Sequence, residues 1–363
     1  MTKKKIVVLI PALNPNADLI DYIKELATAK KNIDVIVVND GSKKELDYIF
    51  EELAKIKSCI VLKHAINLGK GRALKTGFNY FLNNYTEKET LGIITADSDG
   101  QHAIKDIIEI GEQLNTANQE CLILGTRDFN EEHVPFKSRK GNKITTFIFK
   151  LLYGKKINDT QTGLRGLTYS FVKDCLSLDG ERFEYEINML IEAVRKNISI
   201  VEHTIETIYF DNNSETHFNP IKDSIKIYKV MFGKFFKYIL SSLASAIIDI
   251  LLFTLIFTLS YHNINKEISI VLSTILARIF SSLFNYTVNK NVVFNDAKGK
   301  ITIIKYYILC FFQTIMSWAL VNSIFLIAHE HIHPSIIKIV VDTILFLISF
   351  QIQQHWVFRK EKK

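Results

Sequence analysis

Cysteine is scarce and scattered in this chain. Cys59, Cys121, Cys175 and Cys310 are its four cysteines, far apart and without a CxxC pair. That spacing argues against a zinc site or a disulfide scaffold and fits a reducing, cytosolic domain. The net charge is +7, yet the lysines do not gather into a basic stripe interleaved with aromatics, so nucleic acid is not an expected partner. No GxGxxG follows the first apolar run, which argues against a Rossmann dinucleotide site, and the GKG at Gly69–Gly71 lacks the spacing of a P-loop. The Lys3–Lys5 cluster leads straight into an apolar run at Ile6, so no cleavable signal peptide is expected there.

What is present falls into two halves. At 363 residues the chain has room for two domains, and its 48% hydrophobic content is unevenly spread. Residues 1 to about 230 alternate charged and apolar segments in the manner of a soluble α/β domain. Ile6–Ile10, Val35–Val38, Cys59–Leu62, Gly92–Thr95 and Leu122–Leu124 read as short buried strands. Helical segments fall between them near Asp18–Lys30, Glu45–Lys57, Lys70–Asn83 and Ile104–Leu114. The alternation predicts a mostly parallel sheet covered on both faces, with ligands beyond the carboxyl ends of the strands. Three polar strand ends converge there: Pro11–Asn14, Asn39–Ser42 and Asp97–Gln101.

Beyond Phe235 the chain turns greasy. Apolar stretches near Tyr238–Tyr261, Ile268–Val288, Ile303–Ala328 and Ser335–Phe350 are each expected to cross a bilayer, which takes about 20 residues. Lys290, Lys298, Lys300 and Lys305 lie between the second and third stretches, and Arg359, Lys360, Lys362 and Lys363 follow the fourth. The positive-inside rule then puts both chain ends, and the first half, in the cytoplasm. Between the halves, 219–237 reads as an amphipathic helix: Asn219 can cap it, Pro220 suits its first turn, and Ile221, Ile225, Tyr228, Phe232 and Phe235 make one stripe. Lys222, Lys226, Lys229 and Lys237 run alongside, the composition of a helix lying in the membrane interface beside anionic lipids. Asn285–Phe294 (NYTVNKNVVF) and Ser349–Phe358 (SFQIQQHWVF) resemble each other, which predicts a duplicated helical hairpin. Asp249, Arg278 and Asp342 fall within the apolar spans, where an ion pair of Arg278 with Asp249 or Asp342 is the expected arrangement. The HEHIHP turn at His329–Pro334 has metal-ligand residue types in an exposed loop.

The most informative ten residues are Ile93–His102, IITADSDGQH. An apolar strand ends abruptly in Asp97, Ser98, Asp99 and Gln101, so that two carboxylates and a carboxamide oxygen alternate on one turn. Such hard oxygen donors suit Mg²⁺ or Mn²⁺ held jointly with a substrate's phosphates.

These residues resemble a family 2 glycosyltransferase of the polyprenyl-phosphate sugar synthase type, which includes the dolichol-phosphate mannose synthases. The resemblance covers roughly residues 5–230 and rests on PALN at Pro11–Asn14, VNDGS at Val38–Ser42 and NLGKGRALKTG at Asn67–Gly77. DSDGQH at Asp97–His102, GTR at Gly125–Arg127 and DTQTGLRG at Asp159–Gly166 continue it. The second half is similar to GtrA-like four-helix domains. The implied architecture is a GT-A type α/β domain over 1–218, the interfacial helix over 219–237, and an all-α four-span transmembrane domain over 238–363.

By that resemblance Pro11, Ala12, Leu13, Asn14 and Asp40 line the nucleoside pocket, and Asp97 and Ser98 contact the nucleotide and orient the sugar. Asp99 and Gln101 ligate the Mg²⁺ or Mn²⁺ that bridges the donor diphosphate. Arg127, Arg139 and Lys143 hold phosphates, with His217 standing where the family often has a Lys; Asp97, Asp99, Arg127 and Arg139 form the implied catalytic set. Glu184 and Glu186 open a helix where relatives carry a cleft-facing acid, and helix N-terminal charge explains them equally well. Pro15 replaces the Glu that usually follows the first motif, and Asp211–Asn213 lacks the Arg that mannose synthases tend to carry, which weakens a GDP-mannose assignment.

The implied reaction is metal-dependent, inverting transfer of one hexose from a nucleoside-diphosphate sugar to polyprenyl phosphate, with UDP-glucose or UDP-N-acetylglucosamine favoured over GDP-mannose. The lipid would be undecaprenyl phosphate in a bacterial membrane, serving the cell envelope. Two rivals stand beside it: a processive polysaccharide synthase, whose QxxRW-like motif and larger bundle are not visible, and a lipid-sugar flippase with a regulatory first half. The sequence leaves oligomeric state open, homo-oligomers included.

Overall fold

The computed structural model describes residues 4–30, 32–129, 136–206, 222–261, 263–294, 301–327 and 333–359. It divides into two compact units, Met1–Val230 and Met231–Lys363.

In the first unit the five expected apolar runs are strands, longer than the sequence pattern outlined: β1 (Lys5–Ala12), β2 (Ile33–Asn39), β3 (Cys59–Lys63), β4 (Thr90–Thr95) and β5 (Cys121–Arg127). Between them lie α1 (Asp18–Ala29), α2 (Asp47–Ala54), α3 (Lys70–Asn84) and α4 (Ile104–Thr116). The helix expected at Glu45–Lys57 is shorter because a 3-10 turn takes up Lys44–Leu46. Further on come α5 (Phe136–Tyr153), β6 (Arg165–Leu167), α6 (Tyr169–Leu176), α7 (Glu184–Lys196) and β7 (Ser199–Ile205).

Among the described residues the strands form one seven-stranded sheet in the order β3-β2-β1-β4-β6-β5-β7. Neighbours are parallel except at β6, which runs antiparallel to both β4 and β5. This is the GT-A arrangement. From Ile6 to Ala12 every residue of β1 is buried, the continuous apolar reading of a strand covered on both faces. Strand order reverses between β1 and β4, and the crevice at their carboxyl ends is where an open α/β sheet takes its ligands.

Among the described residues four helices are long and apolar enough to cross a membrane, and α8 (Lys222–Ser260), α9 (Lys266–Val288), α10 (Thr302–Ile327) and α11 (Pro334–Ile352) carry them. One expectation needs correction. The amphipathic segment and the first span are not separate helices: Lys222–Ser260 is a single helix of 39 residues, roughly 58 Å long at 1.5 Å per residue. It holds no proline, and Gly233 alone does not break a helix. Within it Ile227 and Met231 are buried while Ile225 and Phe236 are exposed. Residues 219–221 lie outside the described residues.

The duplicated hairpin is visible as chemistry. Both matching segments finish in a π-turn, Asn289–Phe294 after α9 and Gln353–Val357 after α11. Their equivalent amides meet, with Asn289 Nδ2 donating to Gln353 Oε1 at 3.1 Å, and both side chains are buried. Phe294 and Phe358 stack with ring centroids 5.1 Å apart. Tyr306 of α10 donates to Asn285 of α9 at 2.8 Å, and Tyr238 of α8 reaches Ser349 of α11 at 3.4 Å. Each hairpin thus clamps the other through the same pair of positions. Small residues at four-residue spacing on α9 (Ser269, Ser273, Ala277, Ser281) are buried, letting helices approach closely. Gln353→Leu should lower unfolding free energy by about 1 kcal/mol, because the buried Asn289 amide loses one of its two acceptors and keeps only Asn285. The Asn289→Leu/Gln353→Leu double variant should recover part of that loss, a coupling that a double-mutant cycle in detergent measures.

The intramembrane charges resolve into separate pairs. Arg278 is 3.4 Å from Asp249, which also accepts from Ser281 at 2.7 Å. Asp342 pairs with Lys338 at 2.7 Å and accepts from Ser317 at 2.5 Å, so it is not the partner of Arg278. Residues 329–332 of the HEHIHP turn lie outside the described residues.

Candidate active site

Two loops at the carboxyl ends of β1 and β2 are tied into one platform. Asn14 takes the left-handed conformation at φ 47°. Its N–H donates to Ser42 Oγ at 2.8 Å and its side-chain oxygen accepts from the Lys43 N–H at 2.9 Å. The Asn39 side chain accepts from the Ser42 N–H at 2.9 Å. Gly41 sits at φ 73°, where an added Cβ would lie 2.2 Å from the Ile66 carbonyl carbon, so only glycine closes this turn. Pro11 and Ala12 are buried in β1, and Leu13 and Asn14 stand half-buried at its tip.

Asp40 was expected at the nucleoside pocket, and its carboxylate is committed inside the protein. It accepts from the Leu68 N–H at 2.9 Å and the Gly69 N–H at 2.8 Å, and meets His64 Nδ1 at 2.7 Å. Those bonds draw the loop after β3 onto the platform and fix where α3 begins. The first residue of α3 is Lys70, which the sequence reading passed over. Its ammonium lies 2.7 Å from Asp97 Oδ1 and 3.0 Å from Glu186 Oε1.

Lys70 therefore joins the acidic turn after β4 to α7. Asp97 also faces His102 Nε2 at 3.4 Å. Burial alone would raise the Asp97 carboxyl; the Lys70 ammonium and His102 outweigh it and hold the group well below the usual carboxylate range. Burial would likewise lower Lys70, but Asp97 and Glu186 hold it above its ordinary value. Asp99 behaves oppositely. Its side chain is exposed at the mouth of the turn, yet surrounding protein strips part of its water, and with the Asp97 charge this pushes its carboxyl up. Asp99 Oδ1 accepts from the Gln101 N–H at 3.1 Å, which curls the turn so that both side chains belong to one loop. Ser98 is half-buried between the two acids. A carboxylate and a carboxamide oxygen at an open rim, with excess negative charge between Asp97 and Asp99, form a donor set that fits a hard divalent cation.

The loop opposite is built around a close approach. A Cβ on Gly163 would lie 2.2 Å from Asp97 Oδ2. The DTQTGLRG segment can pass behind the acid only as glycine, while Thr95 Oγ1 holds it by donating to the Gly163 carbonyl at 2.7 Å. Gly163→Ala should displace Asp97 and cut turnover by ~10²-fold, the usual penalty of a misplaced group, with a melting shift of a few degrees at most. Initial rates beside a thermal melt check it. Arg165, also passed over, is fully buried and binds the loop to α7: it donates to the carbonyls of Thr162 at 2.9 Å and Glu186 at 2.7 Å.

The two acids at the start of α7 part company. Glu184 accepts from the N–H groups of Glu181 at 3.1 Å and Arg182 at 3.3 Å, which folds the preceding loop back on the helix start, whereas Glu186 turns to Lys70. Arg127 makes a two-pronged bond to the buried Asp159, with Nε at 2.7 Å and Nη2 at 3.1 Å, and stacks over Phe129. Its guanidinium links the GTR and DTQTGLRG motifs. Arg139 is half-buried on α5 and Lys143 is exposed one turn on. His217 lies outside the described residues.

Comparison with known proteins adds to this geometry. Residues 7–176 match the model of glycosyl transferase family 2, and residues 229–358 match that of the GtrA/DPMS transmembrane domain. An uncharacterized protein of Methanocaldococcus jannaschii is 32% identical over 241 residues, covering 65% of this chain and 95% of its own length. The UDP-N-acetylglucosamine–dolichyl-phosphate N-acetylglucosaminyltransferase of Methanococcus voltae is 30% identical over 226 residues, covering 58% of this chain and 88% of that protein. Among solved structures, glucosyl-3-phosphoglycerate synthase of Mycobacterium tuberculosis, crystallised with Mn²⁺, UDP and glucosyl-3-phosphoglycerate, aligns with a TM-score of 0.46 at 16% identity over 63% of this chain and 79% of that one.

Proposed function

The chain belongs to glycosyl transferase family 2, with a GtrA/DPMS transmembrane domain following the catalytic one in sequence, and we propose that it joins a single hexose to a polyprenyl phosphate at the cytoplasmic face of a bacterial membrane. The donor is a nucleoside-diphosphate sugar, with UDP-N-acetylglucosamine or UDP-glucose favoured, in keeping with what the Methanococcus voltae relative is named for. The observation that carries the reading is the contrast between neighbouring acids. Asp97 is paired with Lys70 and faces His102, whereas Asp99 stands exposed at the rim beside Gln101.

The chemistry follows from charge. A phosphate monoester loses its second proton near pH 6, so the acceptor is largely dianionic at neutral pH and needs no strong base. Its oxygen attacks the anomeric carbon as the bond from that carbon to the diphosphate breaks, inverting the centre; the leaving group is the nucleoside diphosphate. The difficulty is bringing the anions together, since two unit charges 4 Å apart repel by about 4 kcal/mol at an effective dielectric of 20. Asp99 and Gln101 would hold a Mg²⁺ or Mn²⁺, and the charge such a cation supplies would ease departure of the diphosphate. Asp97, fixed by Lys70 and by the space at Gly163, orients the donor, and Glu186 faces the same lysine. The nucleoside lies against the platform of Leu13, Asn14 and Ser98; Arg139 and Lys143 on α5 meet the acceptor phosphate. Ile144, Phe147 and Leu151 are exposed along α5 among Lys140, Lys143 and Lys150, a face suited to a lipid substrate arriving from a membrane.

Purified protein incubated with polyprenyl phosphate and each of radiolabelled UDP-glucose, UDP-N-acetylglucosamine and GDP-mannose tests the proposal. Label should enter the organic phase from a UDP-sugar only when the lipid phosphate is added. Label that stays aqueous with every donor would reject it.

A further inference from the structure

We propose that this chain self-associates in the membrane through the face of α8 and α9 that carries Asp249 and Arg278, each copy's guanidinium reaching the other copy's carboxylate across a two-fold axis.

Depth is the first argument. Arg278 lies mid-way along α9, about 18 Å from Lys266 and about 15 Å from Val288 at 1.5 Å per residue. An arginine so placed in a hydrocarbon layer ~30 Å thick is too deep to extend its head to either surface. Its side chain is nevertheless 73% exposed. Charged groups at this depth face a protein interior or a water-filled cavity, because lipid tails give a guanidinium nothing to bond. Among the described residues its ion-pair partner is Asp249, reached through Nη2 at 3.4 Å, and a guanidinium has five N–H donors to satisfy.

The second hairpin supplies the control. Lys338 is also exposed, but it lies about 6 Å from the start of α11, close enough for its stem to carry the ammonium to the headgroups. It pairs with Asp342 in the tighter geometry of 2.7 Å. The α10–α11 cation therefore sits near the end of its helix, whereas the α8–α9 cation is exposed at mid-span.

Charge pattern selects the occupant. A positive group beside a negative one is complementary to itself under a two-fold rotation, the condition of an isologous dimer. A phosphate approaching Arg278 would meet the Asp249 carboxylate, which disfavours a lipid headgroup. Around the pair the exposed surface is otherwise uncharged, with Ala246 on α8 and Val271, Thr274 and Ile275 on α9.

The test uses the full chain in liposomes, in a Cys310→Ser background with Ile275→Cys as reporter. Oxidation should give a disulfide-linked dimer whose yield survives dilution with lipid. Arg278→Leu should lower the yield by about tenfold or more, as loss of one partner of a desolvated charge pair does. Asp249→Arg and Arg278→Asp should each do the same, and the Asp249→Arg/Arg278→Asp double variant should restore it. Single-molecule counting in nanodiscs should give two copies of the native chain and one of Arg278→Leu, a readout that does not depend on the cysteine. A native chain that is monomeric in nanodiscs, or an Arg278→Leu chain that cross-links undiminished, overturns the proposal. So would monomers in which Arg278 photo-cross-links to a polyprenyl-phosphate probe.

Discussion

Asp99→Ala should abolish metal-stimulated sugar transfer, lowering kcat/KM by ~10³-fold or more, while the protein keeps its fold. The rate loss follows from removing the carboxylate expected to hold the cation: a metal's stabilisation of a departing diphosphate is worth several kcal/mol, and each 1.4 kcal/mol is about tenfold in rate. The intact fold follows from what the side chain does. It is exposed and accepts from the N–H of Gln101 within its own turn. Its carboxyl is pushed up by lost hydration and by Asp97, so at neutral pH its charge works against the folded state, and alanine relieves that repulsion. The melting temperature should hold or rise slightly. A metal-titrated rate assay beside a melt separates the two effects. Native turnover in this variant would remove Asp99 from the site.

Lys70→Met should be damaging for a different reason. It leaves Asp97 and Glu186 side by side without the cation between them, in a place where Glu186 is 7% exposed and Asp97 31%. Breaking a buried pair from one side costs about 3–5 kcal/mol, and the partial exposure of Asp97 brings the expectation to about 2–3 kcal/mol. Turnover should fall by ~10²–10³-fold, as it does when one fixed electrostatic partner of a reacting group is lost. The loss should depend on pH with a definite sign. In the native protein Asp97 is held below its ordinary value of 3.8, so its ionised form contributes stability that is full above that value and is lost on acidification. The variant lacks that contribution and gains instead when its stranded carboxylates take up protons. The gap in melting temperature between native and variant should be widest near pH 7 and narrow toward pH 4. A gap that widens on acidification would contradict the arrangement.

The strand-end motifs were legible because each is local. Pro11–Asn14, Asn39–Ser42 and Asp97–Gln101 are short runs following apolar strands, and all three stand at the same edge of the sheet. Lys70 was not legible, since its meaning comes from Asp97 and Glu186, which lie far along the chain and arrive by way of β4 and α7. The same holds for Asp40, whose carboxylate reads as a ligand group and proves to bind the backbone where α3 begins. Glu184 and Glu186 looked interchangeable in sequence. Two residues apart on a helix they point to different sides, and one holds the preceding loop while the other meets Lys70. β6 is three residues long, too short to show a period, and it gains its place by pairing antiparallel with two longer strands. In the membrane half the repeat was readable as letters, but only the fold brings Asn289 to Gln353. The continuity of α8 was hidden because its hydropathy changes midway while its helical geometry does not.

The most direct measurement is the mass and anomeric configuration of the lipid product. With a polyprenyl phosphate acceptor and the preferred UDP-sugar, mass spectrometry and NMR should show one hexose in a phosphodiester at the anomeric carbon, inverted relative to the donor. The same product should be missing from Asp99→Ala. Free sugar, a ladder of oligosaccharides or retained configuration would contradict direct displacement by a lipid phosphate at this cleft.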